Sequence, residues 1–178
     1  LVGSIPVMIF GFILIKFNLI EQVRNIKVIG WTTLLFGILL FISDKCKNQK
    51  KIKSNFTIKS AILIGLFQIL SLIPGVSRSG IAITAARILK YDRFSSAKIS
   101  FLLSIPTLAA VSLFGIKNLV TSEDLNFSIL NLISIFLSFI FSYLTIKFFM
   151  KYIQNFSLNI FVIYRIILGM ILLILSYL

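Results

Sequence analysis

Between residues 61 and 89 the chain is apolar on either side of one polar, breakable heptad, Pro74-Gly75-Val76-Ser77-Arg78-Ser79-Gly80. Neither flank, 61–73 before it or 81–89 after it, reaches the roughly 20 apolar residues that a helix needs to cross a bilayer. Pro74 removes a hydrogen-bond donor and Gly75 admits left-handed backbone, so the incoming helix has to end there. Basic residues stand at both outer ends: Lys59 before the first flank, and Arg87, Lys90, Arg93 and Lys98 around the end of the second. Both ends then belong on one side of a membrane, and 61–89 is expected to form a re-entrant helical hairpin with the heptad at its tip. Irregular backbone survives at membrane depth only where protein buries it or a wet cavity receives it, and an arginine there needs an anionic partner. The expected occupant of the tip is a phosphate group.

Composition supports the membrane. With 58% hydrophobic residues, 13% charged and a mean hydropathy of +1.05, a soluble domain of 178 residues could not hide its apolar surface. The expected class is all-α, a polytopic membrane protein forming a single integral domain over 1–178. A net charge of +13 would suggest nucleic acid in a soluble protein. Here the lysines sit in connecting segments, where they face anionic lipid, and nucleic acid is not an expected partner. Asp44 is followed by Lys45, Lys47, Lys50, Lys51, Lys53 and Lys59, so 44–59 reads as a cytoplasmic loop under the positive-inside rule. Cys46 stands alone, which rules out an intrachain disulfide. With no histidine present, a Cys/His metal site is excluded as well.

Five spanning helices are expected besides the hairpin: 2–17, 28–42 with Trp31 as an interfacial anchor, 99–116 with a kink at Pro106, 127–149 and 158–178. The links carry Glu21, Arg24 and Lys27 in 18–27, and Glu123 and Asp124 in the outer loop 117–126. Ile15-Lys16-Phe17 returns as Ile146-Lys147-Phe148, with Lys147 following Lys16 by 131 residues. The run 34–40 resembles 166–172, with Gly169 following Gly37 by 132. Lys16 falls at the outer end of its helix and Lys147 at the inner end of its own, the mark of an inverted-topology repeat. On this division 1–43 closes a first repeat and 60–178 forms the second. Moving the hairpin back by the same offset puts its counterpart before residue 1. The chain starts at Leu1 without a visible signal peptide, so a first hairpin and at least one helix are expected upstream.

The tip offers a phosphate several donors. Arg78 can make a bidentate contact and keeps its charge, Ser77 and Ser79 add hydroxyls, and the amides around Gly80 open a helix whose positive end favours an anion. A proton acceptor is harder to find. The five carboxylates, Glu21, Asp44, Asp92, Glu123 and Asp124, all fall in links, and Gln68 can orient a group but not deprotonate it. Arg165, near the inner end of the last helix, is expected to snorkel to the interface.

Gln68 through Gly80, Ile83-Thr84, Arg93, Ala97 and Ser100 through Pro106 resemble the second signature of the undecaprenyl-diphosphate phosphatases of the bacitracin-resistance type. Phe161 through Gly169 resembles that family's closing helix. The resemblance implies a bacterial inner-membrane hydrolase that removes one phosphate from undecaprenyl diphosphate, recycling the lipid carrier for peptidoglycan and conferring bacitracin resistance. It further implies two re-entrant hairpins, a site open to the periplasm and a divalent cation, Mg or Ca. Carried over, Arg78 clamps the diphosphate with Ser77 and Ser79 as catalytic support, while Gly75, Gly80, Gln68 and Thr84 contact the substrate. The family's first signature, with its glutamates, serines and histidine, is absent from this chain. Three alternatives stay open: the phosphate-clamping half of a composite site, a polyprenyl-phosphate transporter without hydrolysis, or an inactive fragment. A homodimer is also left open, and the nucleophile is unassigned.

Overall fold

Backbone N–H and C=O groups that enter a bilayer have to be satisfied within the chain, and the apolar runs do this as helices. The computed structural model describes residues 1–17, 24–46, 50–121 and 129–178. Among the described residues, two helices precede the hairpin region, α1 (Ile5–Lys16, after a 3-10 turn at Val2–Ser4) and α2 (Ile26–Lys45). Next come α3 (Ile52–Asn55), α4 (Ile58–Ile69, extended by a 3-10 turn at Leu70–Leu72) and α5 (Arg78–Ile88). The chain continues through α6 (Arg93–Thr121), α7 (Ile129–Asn155) and α8 (Asn159–Tyr177). Among the described residues the only extended pairing is an isolated bridge between Lys50 and Tyr91.

Among the described residues, four helices are long and apolar enough to cross a membrane: Ile26–Lys45, Arg93–Leu113, Asn131–Asn155 and Asn159–Tyr177. The chain is a multi-pass membrane protein. The fifth expected span, over 2–17, corresponds to Val2–Lys16, an apolar helix shorter than these four over the described residues. The long helix α6 runs through Pro106 without a break in its assignment. Asp44, expected in the loop, instead lies buried in the last turn of α2. Glu21, Lys47, Glu123 and Asp124 lie outside the described residues.

The two arms of the hairpin become α4 and α5. Although α5 has only 11 residues, every position from Ile81 to Arg87 is buried. Ala82, Ala85 and Ala86 pack with Ile64, Tyr91, Ile99 and Leu103. Ile83 joins a second cluster with Leu40, Ala97, Ile153, Leu158 and Val162. Small residues let several helices close on α5 together, so protein rather than lipid surrounds this short helix. That enclosure is what permits the irregular tip.

Helices α2 and α8 carry the repeat. A side chain at Gly30 would meet Leu173, one at Gly169 would meet Leu34, and one at Gly37 would meet Arg165 and Ile166. Partners retreat along α8 as α2 advances, so the helices are antiparallel. The contacts are reciprocal under the repeat offset: Gly37 faces Ile166 while Gly169 faces Leu34. The two glycines are equivalent positions, and so are Leu34 and Ile166. Any antiparallel helix pair has such reciprocal contacts, and these are compatible with an inverted repeat. The crossing is close, since a Cβ on Gly169 would lie 3.0 Å from the Leu34 backbone nitrogen and 3.1 Å from the Gly30 oxygen. Neither backbone can yield. Gly169→Ala should therefore destabilise the protein by about 1–3 kcal/mol in detergent unfolding, despite alanine's better helix propensity. Gly115→Ala, which meets nothing within 4 Å, should be neutral or stabilising by up to about 1 kcal/mol.

Candidate functional site

The tip of the hairpin is built from two residues with left-handed backbone, Gly75 at φ +90 and Ser77 at φ +67. At Gly75 the requirement is steric as well, because a Cβ there would collide with the Thr32 hydroxyl and approach the Ile29 carbonyl to 2.7 Å. The loop thereby lies flat on α2. The Thr32 hydroxyl donates to the Pro74 carbonyl at 2.6 Å, and the Thr33 hydroxyl donates to the Gly75 carbonyl at 3.3 Å. Ser77, an N-cap residue, accepts the Gly80 amide on its side chain at 3.3 Å, while its carbonyl accepts the Ile81 amide at 3.0 Å. From α6, the Ser100 hydroxyl donates to the Ser79 carbonyl at 3.3 Å.

A guanidinium reaches this loop from α8. Arg165 is only 7% exposed; its Nη2 donates to the Gly75 carbonyl at 2.8 Å and its Nε to the Thr33 carbonyl at 3.4 Å. The expectation that Arg165 snorkels to the interface is overturned, since its side chain turns into the protein. Glycines make room for it. A Cβ on Gly37 would stand 3.1 Å from the Arg165 Cβ, and one on Gly80 would stand 2.8 Å from Arg165 Nη1. In the sequence the signal was the single charge in the otherwise apolar run 160–175.

Thr33, Gly75, Ser77, Ser79, Gly80 and Arg165 line the polar end of a cavity of about 600 Å³. Its remaining wall is largely aliphatic and aromatic. Phe149 sits edge-on to both Phe101, with centroids 5.7 Å apart, and Phe161, at 5.2 Å. Of the residues singled out in the sequence, Ser77, Ser79, Gly75 and Gly80 are thus brought together. Arg78 does not line the cavity; it is half-buried at the first position of α5, with no hydrogen bond or ion pair among the described residues. Thr84 is buried and its hydroxyl is spent on the Gly80 carbonyl at 2.8 Å. Gln68 is 1% exposed and off the cavity, and neither end of its amide has a partner among the described residues.

The arginines divide by how they are paired. Arg87 and Arg93 both contact Asp44. Arg165 and Arg78 contact no carboxylate among the described residues, so their charges are left for something else. No aspartate or glutamate lines the cavity, and no group of three or more His, Cys, Asp or Glu is found among the described residues.

The family model described as "Bacitracin resistance protein BacA" matches residues 1–171. A protein of Pelagibacter ubique named undecaprenyl-diphosphatase is 54% identical over 99% of this chain and 69% of its own length. Proteins of the same name from Jannaschia sp. and Roseobacter denitrificans are 38% and 41% identical, each over 99% of this chain and 66% of their own length. The chain thus spans about two thirds of the relatives it matches.

Gly80 offers a sharp probe of this arrangement. An added methyl group would push on the flexible end of Arg165 and crowd the Ser77 side chain at 3.2–3.3 Å, with no backbone among these contacts, so Gly80→Ala should leave the fold intact. Its affinity for inorganic pyrophosphate, measured by titration calorimetry in detergent, should fall by about tenfold, the worth of one charge-assisted hydrogen bond.

Proposed function

The chain belongs to the bacitracin resistance protein BacA family, and we propose on that footing that it hydrolyses undecaprenyl diphosphate to undecaprenyl phosphate and inorganic phosphate. One observation carries the reading. A buried guanidinium without an acid partner among the described residues stands beside Ser77 and Ser79 at the head of a cavity whose other walls are largely apolar. A doubly phosphorylated head on a long hydrocarbon tail has that same division of polarity.

Arg165 spends one N–H on the Gly75 carbonyl and one on Thr33, and the remaining N–H groups, near Gly80, are free to meet phosphate oxygen. The Ser77 oxygen accepts the Gly80 amide, so its own proton is available to the cavity, and Ser79 adds a second hydroxyl. The first-turn amides of Arg78 and Ser79 have no acceptor within their helix, and the helix dipole reinforces them. Charge on a phosphoryl group in transfer spreads over its outer oxygens and the departing bridge oxygen. Donors already fixed around those positions stabilise it without reorganising. Arg78, outside the cavity wall, adds attraction for the anion at longer range. Among the described residues no carboxylate is placed to take the water's proton, so these groups bind and polarise. The divalent cation implied by the resemblance finds no charged ligand among the described residues of this cavity.

The lysine-rich end is cytoplasmic under the positive-inside rule, in a bacterial inner membrane. The tip contacts α2 at Thr32 and Thr33, about 10 Å from that helix's opposite end, so the cavity head lies toward the periplasm. Reconstituted with undecaprenyl diphosphate in vesicles, the protein is expected to release inorganic phosphate. Arg165→Lys should slow that release by about a hundredfold, a typical loss for one positioned donor. Movement of the lipid between leaflets with no phosphate release would contradict the proposal and favour a transporter.

A further inference from the structure

The one buried carboxylate among the described residues lies about 16 Å from the polar end of the cavity, yet it touches most of the helices that build it. Asp44 is 6% exposed in the last turn of α2. Its Oδ1 accepts Arg93 Nε at 2.8 Å and lies 3.1 Å from Arg87 Nη2. Its Oδ2 accepts Arg93 Nη2 at 2.9 Å and the Leu158 backbone amide at 3.3 Å, and its own carbonyl accepts Arg87 Nη2 at 2.6 Å. Arg87 belongs to the last turn of α5, Arg93 opens α6, and Leu158 is the N-cap of α8.

Each of these helices also contributes to the anion site at its other end or along its length. From Asp44, α2 runs about 16 Å back to Thr33, and α5 runs about 14 Å from Arg87 to Arg78. Between Leu158 and Arg165 on α8 the rise is about 10 Å. The hydrogen bonds from Arg165 to Gly75 and Thr33 form only if the axial positions of α2, α5 and α8 agree. Packing of apolar helices in a membrane gives weak control over sliding, because lipid competes on equal terms with apolar side chains. A bidentate Arg93 fork and a buried ion pair give strong control.

We propose that Asp44 is a positioning residue of the anion site, fastening α2, α5, α6 and α8 at the lysine-rich end so that Arg165 meets the hairpin tip in register. This rests on the reading of the cavity as a diphosphate site. Its test is binding of undecaprenyl diphosphate by the full chain in nanodiscs, with folding followed by helical circular dichroism. Asp44→Asn should weaken binding by about tenfold or more, since a misplacement of about 1 Å can cost two orders of magnitude. Asp44→Glu, which keeps the charge, should restore affinity to within about threefold of the wild type. A folded Asp44→Asn that binds as the wild type does, or an equal loss in Asp44→Glu, would overturn the proposal. Should Asp44→Asn fail to fold, Arg93→Gln decides. Its side chain is 36% exposed, and a loss of about threefold is expected, with unchanged affinity overturning the proposal. If the wild type itself binds no lipid diphosphate, the diphosphate reading fails and this inference falls with it. Normal wild-type binding that Arg165→Lys abolishes and Asp44→Asn leaves intact removes this inference alone.

Discussion

A guanidinium taken out of water can be met by a carboxylate or by carbonyl oxygens, and the choice decides what it can do next. Carbonyls satisfy its hydrogen bonds without cancelling its charge. Arg165 is met by the carbonyls of Gly75 and Thr33, and so it remains a buried cation with a standing demand for an anion. Arg87 and Arg93, two turns or more from the tip, share Asp44, whose single charge offsets one of theirs. The same residue type thus serves two purposes in one small membrane protein, and its partner separates them.

The fold exists in a form that can present that cation. Non-helical backbone at the tip would be untenable against lipid, but α5 is buried along its whole central length and the tip rests on α2. Gly75 allows the backbone to lie against Ile29 and Thr32, and Gly80 leaves space for the guanidinium. The antiparallel pair α2 and α8, pressed together at Gly37 and Gly169, brings Thr33 and Arg165 together. One helix supplies a carbonyl and the other a charge.

Much of this was legible in the residues. Flank lengths around Pro74 and Gly75 identified the hairpin, because bilayer thickness sets a minimum that neither flank meets. The shared offset of two weak matches suggested a repeat, and one of the two matching pairs of runs lies side by side on α2 and α8. Other features were hidden for physical reasons. Asp44 among lysines reads as a loop charge, because sequence neighbours do not reveal that two distant arginines come to it. Which cation enters the cavity was hidden too. Successive residues at a helix start point about 100° apart, so Ser77, Ser79 and Gly80 face the cavity while Arg78 between them does not. Arg165 reaches the same tip from α8, 90 residues beyond Gly75.

The most direct measurement of the central claim is the distance between the Arg165 guanidinium and the lipid head. Solid-state nitrogen–phosphorus dipolar recoupling on guanidinium-labelled protein bound to undecaprenyl diphosphate reads it, with Arg165→Lys assigning the signal. The expected result is a nitrogen–phosphorus separation of about 4 Å, as a direct hydrogen bond requires, lost in the variant. A separation of that size that persists in the variant, or no recoupling to any arginine, would contradict the account.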